Sequence, residues 1–491
     1  MNYKLTFFIL AEIIIILGGI LLIPFFMAVG YGETSSMFGF GITIAVCVVL
    51  GGAGLFLRPQ KDKRNMRPSC GMIICGLAWI LIGLIGAMPY TLSGFVPSYL
   101  DAVFECVSGI TTTGSSILTD IEALPNSLLF WRSLTAWLGG MGVLVFVIAI
   151  LPKKDRSATQ LAKAEMPGPQ FGKLVSKIQH SALILYAIYI VLTLVEFGVL
   201  CALDMPAFDS INHAMVTAST CGFSVKNASI AHYNSVGIDV AITVFMLLFS
   251  INFNVYFLYI AGQFRKAIKQ EETTWMFAIY IIFVAIITLS LCLSNTYGTV
   301  AESIRHSSFT AAAILSTTGF VTQNYESWPM IAQILIFALM FMGGSAGSTA
   351  GGLKVSRVII LGKSSMLSAH KMLSPRSVKS VRLEGKTLSE ETIHNTQRYF
   401  VLYAMILVVS VILISLDKSV SSDTNGLMTN ISAVVTCFNN VGPGFGGVGP
   451  VCNFADLGIF TKIVLIMDML IGRLEILPIL LIFYPKAWRS I

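Results

Sequence analysis

The segment 314–321, ILSTTGFV, brings Ser316, Thr317, Thr318 and Gly319 together in an otherwise strongly apolar region. A lipid environment offers no water to such polar groups, so they must be satisfied inside the protein or beside a watery cavity. Three other segments align with this one on a glycine. The four aligned segments are LDAVFECVSGITTTGSS (100–116), FDSINHAMVTASTCGFS (208–224), RHSSFTAAAILSTTGFV (305–321) and MTNISAVVTCFNNVGPG (428–444).

Composition places the whole chain in a membrane. Of 491 residues, 55% are hydrophobic and 12% are charged, against about 25% charged in soluble domains. The mean hydropathy is +0.80. The net charge of +7 lies in loops between apolar runs, a pattern that indicates membrane topology and no nucleic-acid partner. The nine cysteines show no CxxC pair and no zinc spacing, and we interpret them as core residues.

Ten apolar runs are long enough to cross a bilayer, which takes about 20 residues each. They are 5–28, 38–57, 70–90, 130–151, 181–203, 237–262, 275–294, 331–353, 398–416 and 458–484. Lys and Arg are concentrated in every second loop, at 58–68, 152–180, 265–269 and 354–398. Basic loops remain in the cytoplasm. The pattern predicts that both termini are cytoplasmic and that the four aligned segments enter the membrane from outside.

The four segments predict a repeated unit of span, short re-entrant helix, glycine turn and span. Asp101, Asp209 and Thr429 stand 13 residues before their glycines and are residue types that cap helix N-termini. The predicted fold is all-α, with four such units around one pore and two extra N-terminal spans. The predicted units are 1–68 for the N-terminal pair and 69–160, 161–272, 273–397 and 398–491 for the four repeats.

A ring of backbone carbonyls from four such turns can replace the hydration shell of a cation. Glycine can adopt positive φ and turn its carbonyl towards the axis, and the short helices would direct their negative C-terminal ends at the cavity. The alternative is that small-residue turns only allow helices to pack closely. The predicted filter glycines are Gly114, Gly222, Gly319 and Gly442. The predicted carbonyl ligands are Thr111, Thr112, Thr113, Ser219, Thr220, Cys221, Ser316, Thr317, Thr318, Asn439, Asn440 and Val441.

These turns, with the runs WLGGMGVLVFVIAILP (137–152), MGGSAGSTAGGLK (342–354) and MLIGRLEILPIL (469–480), closely resemble the Trk/Ktr/HKT superfamily of potassium transport proteins. The two extra N-terminal spans and the NNVGPG turn favour the bacterial TrkH/TrkG branch. The resemblance implies a potassium uptake protein of the bacterial inner membrane, in contact with lipid. It also implies a homodimer with one pore per subunit, gated by a cytoplasmic TrkA-type ring of nucleotide-binding RCK domains.

The residues after the four glycines differ from one another: Ser115, Phe223, Phe320 and Pro443. Fewer ordered carbonyl rings than in a potassium channel with four identical turns predict looser discrimination among K⁺, Rb⁺ and Na⁺. Glycine in the first turn resembles the potassium-selective members of the superfamily, whereas sodium-selective plant relatives have serine there.

The eighth span carries a glycine-rich run. Glycine costs about 1 kcal/mol relative to alanine inside a helix, so several together predict an unwound intramembrane loop; the alternative is close helix packing. The resemblance implies that this loop, 342–353, is the gate. The glycines concerned are Gly343, Gly344, Gly347, Gly351 and Gly352.

Arg473 lies inside the last span, near Asp468 and Glu475. A charge there is costly and usually faces the protein interior. The resemblance places this arginine beneath the filter as part of the barrier, and the alternative is a structural ion pair with another helix. Arg473 and Glu475 point to nearly opposite helix faces, so we do not expect them to pair directly.

Other function classes are less well supported by the sequence. A sodium-coupled or sodium-permeable transporter of the same fold is the closest alternative. An intramembrane enzyme would need a cluster such as Asp209, Ser210 and His213, and a non-transporting scaffold is a further alternative. GFGGVG at 444–449 lacks the strand and helix of a dinucleotide site. We therefore expect no enzymatic activity and no organic cofactor, with K⁺ as the transported substrate.

Overall fold

The computed structural model describes residues 3–56, 68–142, 178–377, 379–417 and 426–488. The basic loop 58–67, the segment 152–177 and the predicted boundary at 160/161 lie outside the described residues. So does the second half of the predicted fourth span. The orientation inferred from these loops and the unit boundaries remain predictions.

Within the described residues the chain forms nineteen α-helices and one two-stranded hairpin. They are α1 (Tyr3–Tyr31), α2 (Thr34–Leu55), α3 (Pro68–Leu92), α4 (Tyr99–Ile110), α5 (Asn126–Gly140), α6 (Ile178–Ala202), α7 (Ala207–Ser219), α8 (Val236–Phe249), α9 (Phe253–Ile260), α10 (Phe264–Ile268), α11 (Glu271–Leu293), α12 (Val300–Leu315), α13 (Met330–Met340), α14 (Val355–Leu373), β1 (Arg382–Leu383), β2 (Lys386–Thr387), α15 (Glu390–Ile414), α16 (Gly426–Asn439), α17 (Ile459–Arg473), α18 (Leu477–Ile482) and α19 (Pro485–Trp488).

The predicted all-α membrane fold is confirmed. Six of the described helices, α1, α2, α3, α6, α11 and α15, are long and apolar enough to cross a membrane. The last four of these begin the four repeats, and each is followed by one short helix, namely α4, α7, α12 or α16. Large apolar side chains such as Ile281, Leu289 and Val408 remain exposed on the outer helices. Such a surface is expected where helices face lipid acyl chains.

The extra N-terminal pair packs through small residues. A Cβ on Gly54 would lie 2.3 Å from the Cβ of Ala11, and a Cβ on Gly51 would lie 2.4 Å from the Ile15 side chain. Small residues let helix backbones approach closely in a membrane. The pair then packs on α3 and α5 of the first repeat.

The second helix of each repeat is short or interrupted. Helix α5 ends at Gly140, and α13 ends at Met340 before the predicted loop. The sixth span was predicted as continuous, and this is wrong: α8 and α9 meet at 87° across Ser250, Ile251 and Asn252. The tenth span is also divided, into α17 and α18, at residues 474–476, where Glu475 and Ile476 have positive φ. Breaks therefore occur in the second, third and fourth repeats, although the sequence indicated only the glycine-rich one.

Candidate functional site

Each of the four short helices ends in the same backbone turn. The residue two positions before the glycine is left-handed in every repeat: Thr112 (φ 57°), Thr220 (56°), Thr317 (57°) and Asn440 (55°). The next N–H donates to the carbonyl five residues earlier, as in Thr113 to Ser108 at 2.8 Å. The other three such bonds are Cys221 to Val216 (3.0 Å), Thr318 to Ala313 (2.8 Å) and Val441 to Thr436 (2.9 Å). This pairing is the Schellman closure of a helix C-terminus.

Left-handed threonine is unusual because the branched Cβ crowds the backbone. Residues held in such regions cost about 1–3 kcal/mol each and cluster at functional sites. Thr112, Thr220 and Thr317 occupy the same position in three repeats. The repetition indicates that the shape of the turn is required beyond the closing of a helix.

The four glycines lie together in a closed ring. A Cβ on Gly114 would lie 2.5 Å from the N of Gly222, and one on Gly222 would lie 2.6 Å from the Thr318 carbonyl oxygen. A Cβ on Gly319 would lie 2.0 Å from the Val441 carbonyl oxygen, and one on Gly442 would lie 2.9 Å from the Thr113 carbonyl oxygen. Each turn thus contacts the next, in the order one, two, three, four and back to one.

Backbone conformation differs around this ring. Gly114, Gly319 and Gly442 have φ of 85°, 76° and 102°. The positive φ expected at Gly222 is wrong: between Cys221 and Val225 no residue has positive φ, and the left-handed residue of this turn is Thr220. Glycine is required at position 222 by the close approach of the third turn.

The carbonyl oxygens next to the glycines are unpaired. Those of Thr113, Cys221, Thr318 and Val441 accept no hydrogen bond from any part of the chain that the structure describes. All four residues are fully buried. The hydroxyls pair sideways instead, as in Thr111 with Thr113 (2.8 Å) and Ser316 with Thr318 (2.7 Å). Buried carbonyl groups normally have a partner, so these four oxygens keep the capacity to accept one.

The short helices begin earlier than the sequence predicted. Ser98 caps α4 by accepting from the N–H of Asp101 at 3.4 Å, and Thr299 caps α12. Asp101 and Asp209 therefore lie in the first turn, and Thr429 lies within α16. The prediction that these three residues cap the helices is wrong. The two aspartates instead contact other side chains: Asp101 accepts from Lys462 (2.7 Å), and Asp209 accepts from the Tyr233 hydroxyl (2.8 Å).

The glycine-rich run between α13 and α14 is a non-helical loop, as predicted. Its two limbs pair with each other: the N–H of Gly343 donates to the Leu353 carbonyl at 3.0 Å. A Cβ on Gly343 would lie 1.9 Å from the Gly351 carbonyl oxygen. Gly344 approaches Ser250, and Gly347 approaches Asn252. Gly352 has a φ of 66° and lies next to Gly343.

The loop contacts the underside of the ring. The N–H of Gly351 donates to the Thr317 hydroxyl at 2.7 Å, and a Cβ on Gly351 would lie 2.6 Å from the Asn439 carbonyl oxygen. On its other side, the Gly347 carbonyl accepts from the N–H of Phe253 at 3.0 Å. The loop of the third repeat therefore reaches the broken helix of the second repeat and the turn of the fourth.

Arg473 joins the loop to the first repeat. Its guanidinium donates to the Thr349 carbonyl (2.7 Å) and to the carbonyls of Gly139 (2.7 Å) and Gly140 (2.6 Å). Gly140 itself lies against Ser219, because a Cβ there would be 2.7 Å from the Ser219 Cα. The charge is thus held by backbone carbonyls directly behind the ring. Glu475 does not pair with Arg473, as expected, but it lies in the break after α17 and not on a helix face, and it pairs with Arg357 at 2.6 Å.

The sequence matches the TrkH family, described as "Cation transport protein", over residues 36–490. The chain belongs to this TrkH family. The Trk system potassium uptake protein TrkH of Escherichia coli K12 is 32% identical over 493 residues and 100% of both chains. TrkG of the same organism is 31% identical over 478 residues, or 95% of both chains. The crystal structure of the potassium transporter TrkH from Vibrio parahaemolyticus is 28% identical over 100% of both chains, with a TM-score of 0.88.

One feature of this TrkH-family chain was missed in the sequence: a buried ion pair behind the first two turns. Arg132 Nε lies 2.6 Å from Glu105 Oε1, and both side chains are almost fully buried. The guanidinium also donates to the Ser224 carbonyl at 2.8 Å and stacks on the Phe223 ring at 3.5 Å. Glu105 accepts from the N–H of Ile117 at 2.9 Å. The pair thus fixes the extended segments that follow Gly114 and Gly222. No local spacing in the sequence indicated this ion pair.

Proposed function

We propose that this TrkH-family chain carries K⁺ into a bacterial cell across the inner membrane, through the axis of the glycine ring. The observation that carries the proposal is the set of four buried, unpaired carbonyl oxygens at Thr113, Cys221, Thr318 and Val441. Carbonyl dipoles can replace the hydration shell of a dehydrated cation. Two relatives of similar sequence are named potassium uptake proteins, and the solved structure of the same fold is named a potassium transporter.

The geometry favours a cation over an anion. Four helix C-termini lie next to the ring, and each carries roughly half a negative charge. A cation entering down the membrane potential gains about 2.3 kcal/mol per 100 mV. That gain supports accumulation of K⁺ without a coupled ion, and we assign the chain a transport function rather than an enzymatic one.

We assign the gate to the loop 342–353 and Arg473. The loop lies against the third and fourth turns, and Arg473 spans from it to Gly139 and Gly140. A fixed positive charge bound to the segments that pack on the ring repels a cation. Conduction would require the loop and the Arg473 side chain to move away from the ring together. In this proposal the protein is a homodimer, and a cytoplasmic RCK-type ring of the TrkA kind drives the movement.

The test is growth of an Escherichia coli strain that lacks its own potassium uptake systems, at micromolar to low-millimolar K⁺, with and without a TrkA-type partner. We expect restored growth, and Rb⁺ uptake by purified protein in liposomes. Liposomes that stay impermeable to K⁺ and Rb⁺ with the partner present would contradict the proposal. Uptake of Na⁺ at the same rate as K⁺ would favour the sodium-permeable alternative.

A further inference from the structure

One carboxylate oxygen joins the loop to the start of the helix that follows it. Glu272 Oε1 accepts hydrogen bonds from the N–H of Ala346 at 2.7 Å and from the N–H of Ser356 at 3.0 Å. Ala346 belongs to the entering limb of the loop, and Ser356 lies in the first turn of α14. Hydrogen bonds to an ionised acceptor are roughly twice as strong as neutral ones. Ala346 therefore cannot move away from the start of α14 unless at least one of the two hydrogen bonds to Glu272 breaks.

The oxygen is shielded from solvent. Glu272 is only 4% exposed, in the first turn of α11. Near it, the N–H of Val355 donates to the Gly344 carbonyl at 3.3 Å, which also joins the two limbs. The carboxylate thus binds a part of the loop other than Gly351, the residue that contacts the ring.

An internal comparison indicates that the contact is specific to the third repeat. The first helices of repeats three and four begin with the same residues, Glu-Glu-Thr, at 271–273 and 390–392. Glu391, the counterpart of Glu272, is exposed. Two helices with the same local sequence therefore use the second glutamate differently, and the difference coincides with the loop.

The same helix turn is tied to the hairpin 382–387. The N–H of Glu272 donates to Glu384 Oε1 at 3.2 Å, and the N–H of Glu384 donates to Glu271 Oε2 at 3.3 Å. Lys363 reinforces the contact by donating to Glu271 and to the Arg382 carbonyl. Arg382 and Lys386 on the hairpin are exposed. A continuous series of hydrogen bonds thus leads from an exposed hairpin to the loop.

We propose that Glu272 is a positioning residue of the gate, which holds the loop against the ring, and that the hairpin 382–387 is the element through which the cytoplasmic side acts on it. The proposal rests on the proposed function. Displacement of the hairpin would move the first turn of α11, weaken the bonds to Ala346 and Ser356, and let the loop leave Thr317. Glu272 does not itself contact the transported ion.

The experiment measures Rb⁺ uptake by liposomes that contain purified full-length protein, without a partner. We expect Glu272→Ala to raise basal uptake by about tenfold or more, since losing hydrogen bonds to a charged group shifts an equilibrium at least that far. Glu272→Gln keeps an acceptor oxygen without the charge, so its rise should be smaller. Glu391→Ala, the matched control, should equal the parent protein.

A second readout separates gating from general damage. The ratio of Rb⁺ to Na⁺ uptake should stay at the parent value in Glu272→Ala, because the ring is unchanged. A ratio that falls to one would mean that the filter is disrupted, which overturns the positioning role. If Glu272→Ala does not reach the membrane, Glu272→Gln carries the test, and basal uptake equal to the parent value overturns the proposal.

Two further outcomes distinguish the parts of the proposal. Glu384→Ala should raise basal uptake in the same direction, and a parent-like value beside a raised Glu272→Ala value overturns the role of the hairpin. If the parent protein conducts Rb⁺ and the basal uptake of Glu272→Ala equals that of the parent, the positioning role of Glu272 is overturned but the proposed function is not. Failure of the parent protein to conduct with its partner overturns the proposed function instead.

Discussion

The hydroxyl of Thr317 accepts a hydrogen bond of 2.7 Å from the backbone N–H of Gly351. This bond joins a turn of the glycine ring directly to the loop beneath it. The equivalent hydroxyl of Thr112, in the first turn, has no partner among the described residues. This hydrogen bond is therefore a feature of the third turn that the first turn lacks, and it provides a way to loosen the loop without altering a backbone carbonyl.

Thr317→Val removes the hydroxyl and keeps the branched shape of the side chain. A neutral hydrogen bond contributes about 0.5–1.5 kcal/mol, so we expect basal Rb⁺ uptake to rise about two- to tenfold. Thr112→Val makes the same change in another turn of the ring, where the hydroxyl has no partner among the described residues, so an effect shared by both variants arises in the ring and not from the bond to Gly351. Equal uptake by both variants would show that the bond to Gly351 does not restrain the loop.

Arg473→Ala removes the charge and its bonds to three backbone carbonyls. We expect a higher leak of Rb⁺ at an unchanged level of folded protein. Arg473→Lys keeps a point charge but loses the planar set of donors, so its leak should be intermediate. Loss of transport together with loss of protein from the membrane, in both variants, would instead indicate a purely structural role.

Gly139→Ala tests the close approach of α5 to the first short helix. A Cβ at this position would lie 1.8 Å from the Ile110 carbonyl oxygen. Because that oxygen belongs to the backbone, it can move aside only if α4 or α5 shifts. We expect a loss of stability of about 1–3 kcal/mol or more, measured as a lower Tm in detergent. The control is Gly198→Ala on α6, which has open space around it, and its Tm should not fall.

Arg132→Leu leaves the buried carboxylate of Glu105 without its partner. Breaking a buried ion pair in this way costs about 3–5 kcal/mol, whereas replacing both members by apolar residues is often tolerated. We expect a large fall in Tm for Arg132→Leu and a smaller one for Glu105→Leu/Arg132→Leu. A double variant as unstable as the single one would mean that the hydrogen bonds to Ile117 and Ser224 matter more than the charge pair.

The repeated turns and the glycine-rich loop could be predicted because each has a local signature. Gly114, Gly222, Gly319 and Gly442 stand in equivalent positions between apolar runs, and the structure brings all four into one ring. The break in the eighth span followed from five glycines in one helix. These features depend on the order of residues along a short segment, which a sequence displays directly.

Long-range contacts could not be predicted in the same way. The bonds from Arg473 to Gly139 and Gly140 join residues more than 300 positions apart. The bend between α8 and α9 occurs at Ser250 and Asn252, where no glycine or proline marks it. It is stabilised instead by the loop, since Ser250 accepts from the N–H of Ser345 at 2.9 Å. Packing that arises from distant segments leaves no signature in the residues on either side.

The most direct test of the central claim is a crystal structure of the protein in Rb⁺, with anomalous scattering used to locate the ion. We predict a peak on the axis of the ring, about 3 Å from the carbonyl oxygens of Thr113, Cys221, Thr318 and Val441, a distance set by carbonyls replacing water around the ion. Rb⁺ bound elsewhere, with no peak inside the ring of a protein that still takes up Rb⁺ in liposomes, would contradict the account.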